Sequence, residues 1–147
     1  MGKKRIVKKT GKSGTGKNTA LKSRFLTRGA KKKIESGILH IQSTYNNTRV
    51  SLTDKEGNLV CSLSSGALGF KGAKKGTPFA AAKAGEVIGE TAKTMGVRNV
   101  NVIVKGVGAG RESSIRAFVS HGIHINSIKD MTPIPHNGPR AKKPRRV

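Results

Sequence analysis

Charge is partitioned along this chain, and the partition limits where a fold can form. Residues 1–33 carry thirteen Lys and Arg and no acid, residues 34–135 carry twelve bases and seven acids, and residues 136–147 carry five bases and no acid. The nets are +13, +5 and +5 of a total of +23. Ile6, Val7, Leu21, Phe25, Leu26 and Ile34 are scattered through the first segment without period. Such a segment buries too little surface to offset its ordering entropy. The expectation is a basic N-terminal extension over 1–36 that is disordered until bound, a folded core over 37–135, and a disordered basic tail over 136–147. A chain so charged repels itself when compact unless a polyanion neutralises it, and nucleic acid is the commonest such partner. Solvated basic tails that only confer solubility are the plainer alternative.

Other classes fit poorly. No run reaches the ~18 apolar residues of a membrane span. The start, MGKKRIVKK, lacks the apolar stretch of a secretory signal, and Ile6 stands where a myristoylation signal wants Ser or Thr. Its basic residues are mostly Lys, where transit peptides favour Arg and Ser, so no leader is expected. Cys61, the single cysteine, lies in the apolar run NLVCSL and reads as a buried small side chain in a protein of a reducing compartment.

Periodicity begins at Gly37. GILHIQST and TRVSLT read as strands, the second with Val50 and Leu52 on one face; DKEG turns the chain with Gly57, and NLVCSL continues as a third strand. A helix then starts with Thr77 as N-cap and Pro78 at its first position, and Gly96 closes it. Its apolar stripe is Ala84, Val87, Ile88, Thr91, Ala92 and Met95. VRNVNVIVKG reads as a strand with Val100, Val102 and Val104 alternating against Asn99 and Asn101. A second helix turns Ile115, Phe118 and Val119 inward and ends at Gly122, and IHINSIKDM is the last strand. The order βββαβαβ predicts an α/β fold: a mixed five-stranded sheet flanked by helices on its faces, in a ribonuclease H-like arrangement.

Four stretches carry candidate chemistry. GKSGTGKNT (residues 11–19) is one residue from a P-loop, but Asn18 replaces the magnesium-binding Ser or Thr and no apolar strand precedes it. It reads as a chance match in a tail whose Lys12 and Lys17 meet RNA phosphates. KGVGAGRE (105–112) lies between a strand and a helix, so the amides around Gly106, Gly108 and Gly110 and the helix N-terminus can form an anion site. Arg111 occupies the third glycine position of a dinucleotide fingerprint, and Asp130 lies in the final strand rather than closing a βαβ unit. With Arg111 and Arg116 at the start of that helix, a nucleic-acid phosphate is the better guest; glycines that merely tighten the loop are the alternative. GFKGAKKGTPFA (69–80) places Lys71, Lys74 and Lys75 before the helix start at Thr77, as an RNA-facing loop or a solvated lysine loop. HNGPRAKKPRRV supplies Arg140, Lys142, Lys143, Arg145 and Arg146 on an extended peptide.

Hydrolysis has no support in the residues. Two-metal nucleases need carboxylates on their strands, and GILHIQST and NVNVIVKG contain none; Glu86 and Glu90 fall on the solvent side of the first helix. His40, His121, His124 and His136 have no ligand spacing and read as strand, cap or turn residues. With Phe25, Tyr45, Phe70, Phe79 and Phe118 as the only aromatics, a base-stacking sheet platform is disfavoured.

STYNNTRVSLTD, GFKGAKKGTPFAA, VKGVGAGRESSIRAF and DMTPIPHNGPR, in that order and spacing, resemble the universal small-subunit ribosomal protein family eleven in its bacterial or organellar form. The resemblance implies a structural protein that bridges helices of small-subunit rRNA on the platform. It also implies that the protein lines the cleft where messenger pairs with the rRNA 3′ end near the exit site. Ribosomal proteins seven and eighteen are the implied neighbours, with mRNA and initiation factor three nearby. No cofactor, metal, small-molecule substrate or membrane is implied. The implied location is the cytoplasm, in bacterial ribosomes, or else a plastid or mitochondrial ribosome. The implied rRNA-binding residues are Asn46 and Asn47, the basic loop Lys71, Lys74, Lys75 and Thr77, the glycine loop Gly106, Gly108, Gly110 and Arg111, and the tail residues His136, Asn137, Gly138 and Arg140. The chain departs from the family's pattern at Pro139, where cysteine is usual, and at Ala141 and Lys142, where two prolines are usual.

Overall fold

The computed structural model describes residues 33–143. The extension before Lys33, with its near P-loop, and Arg145 and Arg146 lie outside the described residues. Five strands form one sheet: β1 (Ser36–Ser43), β2 (Thr48–Asp54), β3 (Leu59–Ser64), β4 (Asn99–Lys105) and β5 (His124–Asp130). Its spatial order is β3-β2-β1-β4-β5, with β1–β2 and β2–β3 antiparallel and β1–β4 and β4–β5 parallel. The mixed α/β sheet expected of βββαβαβ is therefore present.

The alternation that identifies each strand also decides its orientation. Leu39, Ile41, Val50, Leu52, Leu63, Val100, Val102 and Val104 are buried on one face. Helix α1 (Pro78–Thr94) and helix α2 (Gly110–Val119) cover that face. Thr77 caps α1 by accepting from the Ala80 amide at 3.3 Å, Pro78 opens the helix, and Gly96 follows it with φ of 84°. Every residue of the expected apolar stripe, from Ala84 to Met95, is buried. Removing a full aliphatic side chain from this layer costs about 2–5 kcal/mol.

Two expectations need correction. The helices share one face of the sheet rather than flanking both. The crossovers from β3 to β4 and from β4 to β5 advance in the same direction across the sheet, and two connections of one hand that advance the same way lie on the same side. The helices then pack on each other, close enough that a Cβ on Gly85 would strike the Ser114 carbonyl and one on Gly89 the His121 ring. Val119 is exposed: Phe118 is the fully buried residue of α2 and Ile115 is partly buried, while Val119 lies on the flank that no element covers among the described residues.

At the N-terminal end of the parallel strands, the packed core reaches back to Ile34, which is 6% exposed and donates its amide to the Met95 carbonyl at 3.2 Å. Cys61 is half-buried, and burial pushes its thiol up to about 11.

Candidate nucleic-acid interface

The ends of β1, β3, β4 and β5 all point the same way, and they lead into the Asn46–Asn47 turn, the lysine loop, the glycine loop and the tail respectively. Ligands of such sheets gather at the carboxyl ends of the strands, where loops and helix N-termini converge. Here the convergence is close enough to exclude side chains. A Cβ on Gly76 would strike the Tyr45 carbonyl; one on Gly106 would strike the carbonyl of Ser43, one on Gly108 that of Thr44, and one on Gly110 the Thr48 hydroxyl. Glycine is required at 76, 106 and 108 because backbones touch, and at 110 because the Thr48 hydroxyl and the Ala81 methyl fill the space.

The β1–β2 turn divides its two asparagines. Asn47 is half-buried and holds the loop after β3: its Oδ1 lies 2.6 Å from Ser65 Oγ and accepts from the Gly66 amide at 3.3 Å. Ser65 Oγ in turn lies 2.7 Å from the Lys75 carbonyl, which ties the basic loop to the turn. Asn46 is exposed. Beneath them, Ser43 and Thr48 share a buried hydroxyl contact of 3.0 Å.

The basic loop is a 3-10 turn over Gly72–Gly76, with Lys71 and Lys74 exposed and Lys75 half-buried against Gly66. The Thr77 hydroxyl donates to the Lys74 carbonyl at 2.8 Å and accepts from Ala80, so it is spent on the cap. Lys71 and Lys74 therefore present charge at the positive end of α1.

The glycine loop is built differently. The Gly108 amide donates to the Ser43 carbonyl at 2.9 Å, and the Gly106 amide donates to Thr132 Oγ1 at 3.1 Å. These two amides serve the fold rather than an anion. Arg111 turns inward: its guanidinium donates to the Gly106 carbonyl at 2.7 Å and pairs with Asp130. Asp130 also accepts from the Thr132 hydroxyl and amide at 2.6 and 2.9 Å. Those Thr132 bonds first, and Arg111 second, hold the Asp130 carboxyl down to about 2. Arg116, exposed, pairs with Glu112 at 3.3 Å on the surface of α2.

Past β5, His136, Asn137, Gly138, Arg140, Lys142 and Lys143 are all exposed, and Asn137 adopts the left-handed conformation with φ of 53°. Two aromatics that sequence reading discounted stand out at this end: Tyr45 is 78% exposed in the β1–β2 turn, and Phe79 is 64% exposed in the first turn of α1, edge-on to Phe70 at 6.0 Å. Their signal was local: a tyrosine inside a turn and an aromatic just after a helix cap have little core to enter. Glu86, on the solvent side of α1, pairs with Lys83 at 2.6 Å. Among the described residues, no group of three His, Cys, Asp or Glu side chains could hold a metal ion, and no helix is long and apolar enough to cross a membrane.

A one-sided α/β sheet whose glycine-tight loops bring lysines, arginines and exposed aromatics to one edge, on a chain of net charge +23, is the build of a ribonucleoprotein component. The family model described as ribosomal protein S11 matches residues 37–146. The chain belongs to the ribosomal protein S11 family: it is a structural, RNA-binding protein of the small ribosomal subunit, acts in translation, and is not an enzyme.

Proposed function

We propose that this protein binds small-subunit rRNA through the loop end of its sheet and bridges rRNA helices on the platform, lining the cleft where messenger pairs with the rRNA 3′ end near the exit site. The observation that carries this reading is the convergence of the β1–β2 turn, the lysine loop, the glycine loop and the start of the tail at one edge. Lys71, Lys74 and Lys75 neutralise phosphates beside the α1 N-terminus, and Arg116 and the tail bases Arg140, Lys142, Lys143, Arg145 and Arg146 extend the contact. Asn46 reaches RNA directly, while Tyr45 and Phe79 offer faces for unstacked bases. His136, Asn137 and Gly138 lead the tail away from the core. Asn47, Thr77, Gly106, Gly108, Gly110 and Arg111 act by shaping the loops that make contact. Ribosomal proteins seven and eighteen are the neighbours in this reading, with mRNA and initiation factor three close by. The ribosome is that of the bacterial cytoplasm or of an organelle.

Cross-linking of purified small subunits, with RNA fragments mapped back to peptides, tests this. Cross-links should concentrate on residues 45–47, 71–79 and 136–146. Cross-links confined to the opposite end of the sheet, around Lys55 and Arg98, would overturn it.

A further inference from the structure

The face of the sheet away from the helices has no covering element among the described residues, and its composition is unlike that of the rest of the surface. Register places its residues in rows. Ser64, Arg49, Gln42 and Lys105 form the row nearest the loop end, and Ser62, Ser51, His40, Ile103 and Lys129 form the next. Arg49, Lys105 and Lys129 are exposed. Side-chain bonds run along this face: Ser51 and Ser62 hydroxyls meet at 2.9 Å, His40 Nε2 lies 3.2 Å from Thr53 Oγ1, and in the next row Ser127 donates to Asn101 Oδ1 at 3.2 Å.

All seven acids of the chain avoid this face. Glu35, Asp54 and Glu56 sit at the opposite end of the sheet, Glu86, Glu90 and Glu112 are on the helices, and Asp130 is paired with Val104 on the helix side, where Arg111 holds it. The open face is therefore cationic without an internal counter-charge. Lys105 directly precedes Gly106, and Arg49 directly follows Thr48, so the cationic row is continuous with the loop edge.

We propose that the open face of the sheet is a second RNA-backbone track, in which Arg49, Lys105 and Lys129 neutralise phosphates of a strand that runs from the loop edge across β2, β1, β4 and β5. Neighbouring strands are about 4.8 Å apart, so Arg49 and Lys105, two strands apart, are separated by about 10 Å at their backbones. Lys129 lies one strand farther on and one row back. With long, flexible side chains the three bases can reach phosphates along one extended strand. Gln42, the serines and Asn101 supply neutral donors between the charges, as backbone contacts require, without reading sequence. This inference rests on the proposed rRNA-binding function.

The test measures binding of the full chain to a transcript of small-subunit rRNA as a function of salt. Each phosphate contact contributes roughly 0.7–0.9 to the slope of log K against log salt. The triple variant Arg49→Gln, Lys105→Gln, Lys129→Gln should lower that slope by about two and weaken binding on the order of tenfold or more at moderate salt, with an unchanged circular dichroism spectrum. The control Lys55→Gln, Lys93→Gln, Arg98→Gln removes the same charge away from the face and should leave the slope near that of the unmodified chain. Equal losses in both triples would mean that only net charge matters, and the track would be refuted. Normal RNA binding by the face triple combined with loss of a neighbouring protein from assembled subunits would make the face a protein contact and refute it equally. If Lys71→Gln with Lys74→Gln also leaves rRNA binding intact, the proposed function itself fails, which the face triple alone would not indicate.

Discussion

Two loops at the same end of the sheet have nearly the same composition and opposite construction. The lysine loop, residues 69–77, and the glycine loop, residues 105–112, each join a strand end to a helix start and each alternate glycine with basic residues. In the first, Lys71 and Lys74 are exposed and no atom lies within 4 Å of a Cβ built on Gly72. In the second, Gly106 and Gly108 press on the β1–β2 turn, their amides are bonded within the protein, and Arg111 is drawn onto Asp130. One loop displays charge, and the other uses glycine to bring backbones together and charge to fasten the start of the tail. Composition alone does not separate presentation from construction.

The sharpest way to break this contrast is through the glycines. Gly106 has φ of 95° and a carbonyl where its Cβ would be, so Gly106→Ala should cost about 2–4 kcal/mol in urea unfolding, and Gly108→Ala a similar amount. Gly72→Ala meets open space and suffers only its left-handed backbone, φ 59°, for about 1 kcal/mol. A Gly108 variant of full stability that has lost RNA would show that the glycine loop faces ligand after all. Next in size is Lys71→Gln with Lys74→Gln, which should leave unfolding within about 0.5 kcal/mol yet flatten the salt dependence of rRNA binding by about 1.5 units of slope. A stability loss comparable to that of Gly106→Ala would erase the distinction between the loops.

Smaller effects sharpen it. Tyr45→Ala should weaken rRNA binding by about 1–3 kcal/mol if the ring stacks on a base, with no change in unfolding midpoint; unaltered affinity would leave the turn a spacer. The smallest effect concerns Asp130. Its carboxyl in the folded protein lies at about 2, below the usual 3.8, so the bonds to Thr132 and Arg111 favour folding fully above pH 3.8 and are lost as pH falls through about 2. Carboxyl NMR should show that midpoint, and Arg111→Ala should move it upward. A midpoint that stays put would mean Thr132 alone fastens the tail.

The fold was legible where local chemistry decides it. Thr77, Pro78 and Gly96 bracket α1 because caps are set by neighbours in sequence, and β4 announces itself through Val100, Val102 and Val104. The burial of Val119 was misjudged because a helical stripe gives direction without giving the extent of the sheet beneath it. Ile128, on β5 and 60% exposed on the helix-side face, shows the same shortfall of cover. The candidate blocks were legible as blocks, but their internal division was not. Arg111 and Asp130 are 19 positions apart, and Asn47 and Ser65 are 18 apart, with no local motif to join them. Separating the asparagine that binds inward from the one that faces out needs the turn's geometry.

The contact between the two helices fixes how far apart the loops that precede them lie. Each of the two loops sits at the start of one helix, and the helices touch through Gly85 against the Ser114 backbone, where a methyl group would not fit, while Gly89 meets the ring of His121 just past α2. Side-chain packing can yield by rotamer change; contact at a glycine backbone has little to yield. The interval between the two loop starts is thus fixed, and its setting depends most on one methyl group that is not there, at Gly85.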